Sequence, residues 1–275
     1  MTRNLRSTSL PRPPAESNLM IRLAILMIIP FLLAGRRFNP LRQHLPREQA
    51  AYLTGRVVAL ADTSGEFLGS GFFVGFGRNE KVYLVTNFHV IGKRTRLIGF
   101  KEGRPFEARV LSRDRDYDVA VLGADVAGLS LRPQTVALKD FVVATGILWP
   151  GMLTVSAAYP LGIDWPPASS PAVSFSHIAQ LDGADSLIRV EGLLDLGSSG
   201  APVFTWIEED RGRRLHLVGM ARSFQVARCL SEAAGDTLVL HSRLYEIVPA
   251  SAIREVLLVT DSLLNLRVDS LREVD

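Results

Sequence analysis

The stretch GSSGAPV, residues 197–203, sets two serines between glycines and then runs straight into apolar residues. GSSG alone describes a flexible turn. Its direct continuation into Ala201, Pro202, Val203 and Phe204 argues instead for a fixed loop, which makes Ser199 a candidate nucleophile. A serine hydroxyl is a weak nucleophile: it needs an imidazole to take its proton, a carboxylate to orient that imidazole, and N–H groups to receive the oxyanion. His89, in LVTNFHVIG, follows an apolar run and stands before a glycine. A histidine at a strand end is more often structural than catalytic, so His89 gains weight only from its companions. Asp118 opens the apolar run DVAVL. A carboxylate carried inward by such a run must find a partner for its charge. Its rivals Asp114 and Asp116, and a plain turn-capping role, stay open on spacing alone. The glycines around Ser199 let the N–H groups of Gly197 and Ser199 converge as an oxyanion hole.

Other chemistries have weaker support. His44, His177, His216 and His241 are scattered, with no H-x-x-x-H spacing, which disfavours metal-dependent catalysis. An α/β-hydrolase would carry G-x-S-x-G, whereas Gly200 directly follows Ser199. Cys229 is the one cysteine, so no intrachain disulfide forms, and no motif surrounds it. The reading implies no metal or organic cofactor.

The residues must be positioned by strands. From Gly55 onward the period is mostly two, over 56–61, 69–76, 81–87, 96–101, 106–113 and 118–124. A second set covers 141–147, 152–159, 172–180, 186–194, 201–208 and 215–224. No long helices alternate with them, so the expected class is all-β, and about a dozen strands are too many for one small barrel. Two barrels are expected, the first at about 55–125 and the second at about 140–248. A terminal helix starts near 250, packs on the second barrel and continues into a helical tail at 259–275.

The chain has 275 residues and a net charge of +3. Eight arginines against two glutamates lie in residues 1–50, so the remainder is mildly acidic and lacks the basic surface of a nucleic-acid binder. Residues 1–35 form a leader, with an apolar core at 23–34 after Arg22. The core is short for a membrane span and fits a signal peptide, with membrane attachment through residues 20–35 as the alternative. Either start, Met1 or Met20, is compatible with it. Export to the periplasm or cell envelope of a bacterium follows, with 36–54 as a linker.

GSGFFVG, VTNFHVIG, DYDVAVL, YPLG and GSSGAPV, in this order, resemble the successive motifs of trypsin-like serine peptidases. GFKEGRPFEARVLSRDRDYDVAVL and YEIVPASAIREVL look closest to the HtrA branch, without a PDZ domain. The resemblance covers about residues 55–258. It implies two six-stranded antiparallel β-barrels of the chymotrypsin type, with His89 as general base, Asp118 as its orienter and Ser199 as nucleophile. It also implies a protein or peptide substrate, and it leaves the oligomeric state open.

Some positions depart from the family. Ala201 replaces a second glycine, and Ser198 stands where zymogen-activated members carry Asp. Leu193, six residues before the serine, implies an apolar floor to the primary specificity pocket, with Ala221 and Arg222 beside it. Arg222 either narrows and charges that pocket or points to solvent. Two functions stand: an exported serine endopeptidase, and a weak or inactive domain of the same fold acting as a binding module.

Overall fold

The computed structural model describes residues 45–76, 81–126, 133–159, 170–182, 187–192, 197–210, 212–230 and 237–272. Side chains are described within these ranges except at 145, 224–230, 237–242 and 266–272. The leader, with its apolar core at 23–34, and Leu193 lie outside the described residues, as does the side chain of Cys229.

The strands close into two barrels. The first uses β1 (Val57–Ala61), β2 (Phe67–Phe76), β3 (Lys81–Thr86), β4 (Arg96–Lys101), β5 (Arg104–Asp114) and β6 (Val119–Ala124). Their order is β1-β4-β5-β6-β3-β2, closed by antiparallel pairing of β2 with β1. A short β7 (Val136–Ala137) adds to β2 in parallel. The second barrel uses β8 (Leu153–Ala158), β9 (Ala172–Leu181), β10 (Ile188–Gly192), β11 (Pro202–Glu209), β12 (Gly212–Leu230) and β13 (Thr237–Pro249), in the order β10-β13-β12-β11-β8-β9. The expected all-β architecture of two six-stranded barrels is therefore the observed one.

Burial explains the strand composition. Val57 to Ala61 are all fully buried, so β1 is a continuous apolar run without a polar face. In β5, Phe106 and Ala108 point inward while Arg104, Glu107 and Arg109 reach water, the period-two pattern of a half-exposed strand. Each barrel holds its own core. Leu60, Phe73, Leu84, Leu97 and Leu122 meet in the first, and Val190, Ala201, Val203, Val218 and Ile247 in the second.

Three expectations need correction. Residues 141–147 do not form a strand. Phe141 makes a single bridge to Leu217, and residues 145–147 close a 3-10 turn. Phe141 and Val142 are buried, but Val143 and Ile147 are exposed, so the apolar run does not continue into the core as a strand. The sixth strand of the second barrel is instead β13, whose mixed sequence hides its role. It is fixed by pairing to β10 on one edge and β12 on the other. Within the expected linker 36–54, residues Arg47–Thr54 form helix α1. Leu53 is fully buried, the Tyr52 ring stands edge-on to Phe204 at 5.9 Å, and Trp206 Nε1 donates to Gln49 Oε1 at 3.0 Å. So short a helix is stabilised by what it packs against.

A one-turn helix α2 spans Phe88–Ile91, and the terminal helix α3 spans Ala250–Arg272. It packs on β12 and β13 of the second barrel as expected, and its side chains also grip the first. Lys81 Nζ and Tyr83 Oη both donate to Asp261 Oδ1, at 2.8 and 2.7 Å, and Tyr117 Oη donates to Glu255 Oε2 at 3.3 Å. Thr260 meets Ser112 hydroxyl to hydroxyl. Among the described residues no helix is long and apolar enough to cross a membrane.

Burial raises the Asp261 carboxyl, but hydrogen bonds from Lys81 and Tyr83 and the Lys81 charge outweigh it and hold the group below its ordinary value. A carboxyl held low in the folded state adds stability above its unfolded value, and that stability is lost as pH falls through the folded one. Asp261→Asn should lower unfolding free energy at pH 7 by about 1 kcal/mol. Urea titrations of both proteins should show this gap narrowing below about pH 4.

Candidate active site

Asp118 sits in the turn between β5 and β6, with φ of 57°. Aspartate tolerates this left-handed backbone better than bulkier residues do. The conformation tucks its carboxylate inward, to 6% side-chain exposure. Strand β3 ends at Thr86, and α2 follows at once, placing His89 above the turn. Asp118 then grips His89 twice. Oδ1 accepts the His89 backbone N–H at 3.0 Å, and Oδ2 bonds ring Nδ1 at 2.8 Å. Its carbonyl accepts the Phe88 N–H at 3.1 Å and Asn87 Nδ2 at 3.2 Å. The helix start and the acid are thus one hydrogen-bonded unit. The ring stays 46% exposed, and among the described residues Nε2 has no hydrogen-bond partner.

The rivals go elsewhere. Asp114 Oδ1 accepts the Tyr117 N–H at 2.8 Å, the turn-capping role, and Asp116 is exposed. His216 Nε2 pairs with Glu209 Oε1 at 2.9 Å on the β11–β12 hairpin, and His177 is exposed on β9.

The Ser199 loop is braced on three sides. Gly200 N–H donates to the Ala221 carbonyl at 2.9 Å, Ala201 N–H to Ser198 at 2.9 Å, and Ala221 N–H to Ala201 at 2.8 Å. From the first barrel, Ser70 N–H donates to the Ser199 carbonyl at 2.8 Å, and Ser70 Oγ donates to the Gly197 carbonyl at 3.0 Å. The same oxygen accepts the Tyr159 N–H at 3.0 Å, while Thr86 Oγ1 donates to the Ser70 carbonyl at 2.7 Å. Burial pushes the Tyr159 phenol up to about 12. Among the described residues, the N–H groups of Gly197 and Ser199 have no acceptor. Ser70 was not anticipated as a site residue; the signal was a serine between glycines in an otherwise apolar strand.

Ser199 Oγ donates to the Arg222 carbonyl at 3.2 Å, and no hydrogen bond joins it to the His89 ring. Arg222 does not simply face solvent: its Nε lies 3.2 Å from Asp118 Oδ2, the oxygen that also holds His89. Ala221 is buried, with both backbone polar groups spent on the serine loop. Ala201 is fully buried in the second core, so its methyl is accommodated.

Two glycines in this region have no substitute. A methyl at Gly69 would meet the Ser199 carbonyl at 2.9 Å. Gly200 has φ of +85°, and a methyl there would drive into the Ser70 carbonyl. Gly200→Ala should cost at least about 2 kcal/mol by thermal or urea unfolding, from strain and overpacking together.

A family model described as a trypsin-like peptidase domain matches residues 69–211. Among solved structures, the fold is similar to Rv3671c of M. tuberculosis H37Rv in an inactive serine-to-alanine form. That match has a TM-score of 0.52 and 18% identity, covering 79% of this chain and 92% of that one. It is similar to the MamO protease domain of Magnetospirillum magneticum in apo form, at TM-score 0.50 and 18% identity, covering 75% and 97%. It is also similar to the serine endoprotease of Yersinia pestis, at TM-score 0.53 and 19% identity, covering 79% and 68%. No curated protein sequence matches the chain.

Proposed function

Because this chain belongs to the trypsin-like peptidase domain family, we propose that it is a serine endopeptidase acting through Ser199, His89 and Asp118. The observation that carries this reading is the double grip of Asp118 on His89. It fixes the ring through Nδ1 and leaves Nε2 as the nitrogen able to take a proton.

His89 Nε2 removes the Ser199 proton as Oγ attacks the scissile carbonyl. Asp118 supports the imidazolium that forms. The N–H groups of Gly197 and Ser199 receive the oxyanion. His89 then protonates the leaving amine, and water hydrolyses the acyl-enzyme by the reverse sequence. Before attack, Ser199 Oγ must rotate away from the Arg222 carbonyl. That bond is long at 3.2 Å, so giving it up costs only about 1 kcal/mol. Leu193 would floor an apolar pocket for small or medium side chains. Residues 20–35 would direct export, by a cleaved signal or a retained anchor, as N-terminal sequencing of the mature protein will decide.

A weak or inactive binding module is the second reading. It is favoured by the resting bond of Ser199 to Arg222 and by the pairing of Arg222 with Asp118. A fluorophosphonate probe separates the two, since only a working site labels at Ser199.

Ser199→Ala should remove hydrolysis of a peptide library by about 10³-fold or more with an unchanged circular dichroism spectrum. His89→Ala should match it, and the double variant should be no worse, because the two act as a unit. Full activity in either single variant would reject the assignment. Asp118→Asn should lower kcat by about 10³- to 10⁴-fold, whereas Asp114→Asn should be mild.

A further inference from the structure

Arg222 binds the acid of the site and holds the nucleophile with its own backbone. Its Nε and the His89 Nδ1 share one oxygen of Asp118, at 3.2 and 2.8 Å. Two groups bound to one oxygen lie within about 6 Å of each other, a range over which charges couple strongly in a partly desolvated site. Asp118 is almost buried, so its negative charge is felt mainly by these two neighbours.

We infer that Arg222 is a positioning residue that attenuates the site: its guanidinium occupies the Asp118 oxygen that must support the imidazolium during turnover. This rests on the peptidase reading above. When the His89 imidazole takes the Ser199 proton, a second positive charge appears beside the first, and Asp118 must serve both. A neutral donor in place of Arg222 would keep a hydrogen bond to Oδ2 and leave the whole carboxylate charge to the imidazolium. The same residue's carbonyl accepts the Ser199 hydroxyl, so at rest the nucleophile is turned from the ring. Both contacts lower basal turnover.

Next to Arg222 on β12, Ser223 faces Glu246, which lies 3.8 Å from Arg189 Nε. Helix α2 packs on β2 and β6, which carry no ionisable side chain. In the turn before β6, Asp114 is engaged by Tyr117, while Arg115 and Asp116 are exposed. After α2, Lys93 is exposed, Arg94 lies 3.7 Å from Asp62, and Arg113 donates to the Gly92 and Arg94 carbonyls.

The test compares Arg222→Gln, which keeps a neutral donor, with Arg222→Lys, which keeps the charge. In Arg222→Gln the acid limb of kcat/KM should move up by about one pH unit, with kcat raised about threefold at pH 8 and KM little changed. Arg222→Lys, which keeps the positive charge, should show no such upward move of the acid limb. A lower kcat in Arg222→Gln would overturn the inference, as would a change confined to KM, or identical behaviour of the Gln and Lys variants. The His89 ring is also followed by NMR in Ser199→Ala protein with and without Arg222→Gln, which needs no turnover. The ring should take up its proton at higher pH when Arg222 is replaced, and an unmoved titration overturns the inference. If the ring shifts while no variant reacts with fluorophosphonate, the peptidase reading fails and the coupling stands.

Discussion

A carboxylate withdrawn from water must be met by donors, and Asp118 is the residue on which this constraint falls hardest. Its side chain is 6% exposed, in a backbone conformation few residues adopt. Everything near it can be read as an answer to that cost. The start of α2 supplies an N–H and a ring nitrogen, Asn87 supports the carbonyl, and β12 of the other barrel supplies a guanidinium. The histidine is therefore oriented because the acid needs partners, and the acid is tolerated because the histidine is there. A cation from the second barrel completes what the first cannot supply alone.

The barrels divide the work. The first presents His89 on the short helix after β3 and Asp118 on the turn before β6. The second presents the serine loop, the N–H groups beside it and the strand behind it. Most regular structure in each barrel is antiparallel ladder around an apolar core, with little chemistry in it. The residues of the proposed triad sit between these ladders, on helix α2, on a turn and on the serine loop, and helix α3 bonds to the first barrel through Asp261 and Glu255.

Local pattern made much of this legible. Strands β1 to β6 announced themselves by alternation or by continuous apolar runs between turn residues, and the His, Asp and Ser motifs stood in a recognisable order. What the sequence hid depends on distant partners. Helix α1 has eight residues and weak local preference; it exists because Tyr52 and Gln49 find the second barrel. Strand β13 mixes polar and apolar residues and is defined by two neighbours far away in the chain. Residues 141–147 look apolar enough for a strand, yet expose Val143 and Ile147. No spacing rule could have paired Arg222 with Asp118, because the contact forms only once both barrels have closed.

Ser70 carries a last consequence. Its hydroxyl stands between a carbonyl of the serine loop and the Tyr159 amide, and its own backbone is held by Thr86 and Ser199. One small side chain thus acts as a rivet through the joint of the two halves. Bonds from both sides fix the joint at that point. Lengthening β2 by a single residue would swap this rivet for a neighbour facing the opposite way, and would dislodge a loop lying more than a hundred positions downstream in the polymer.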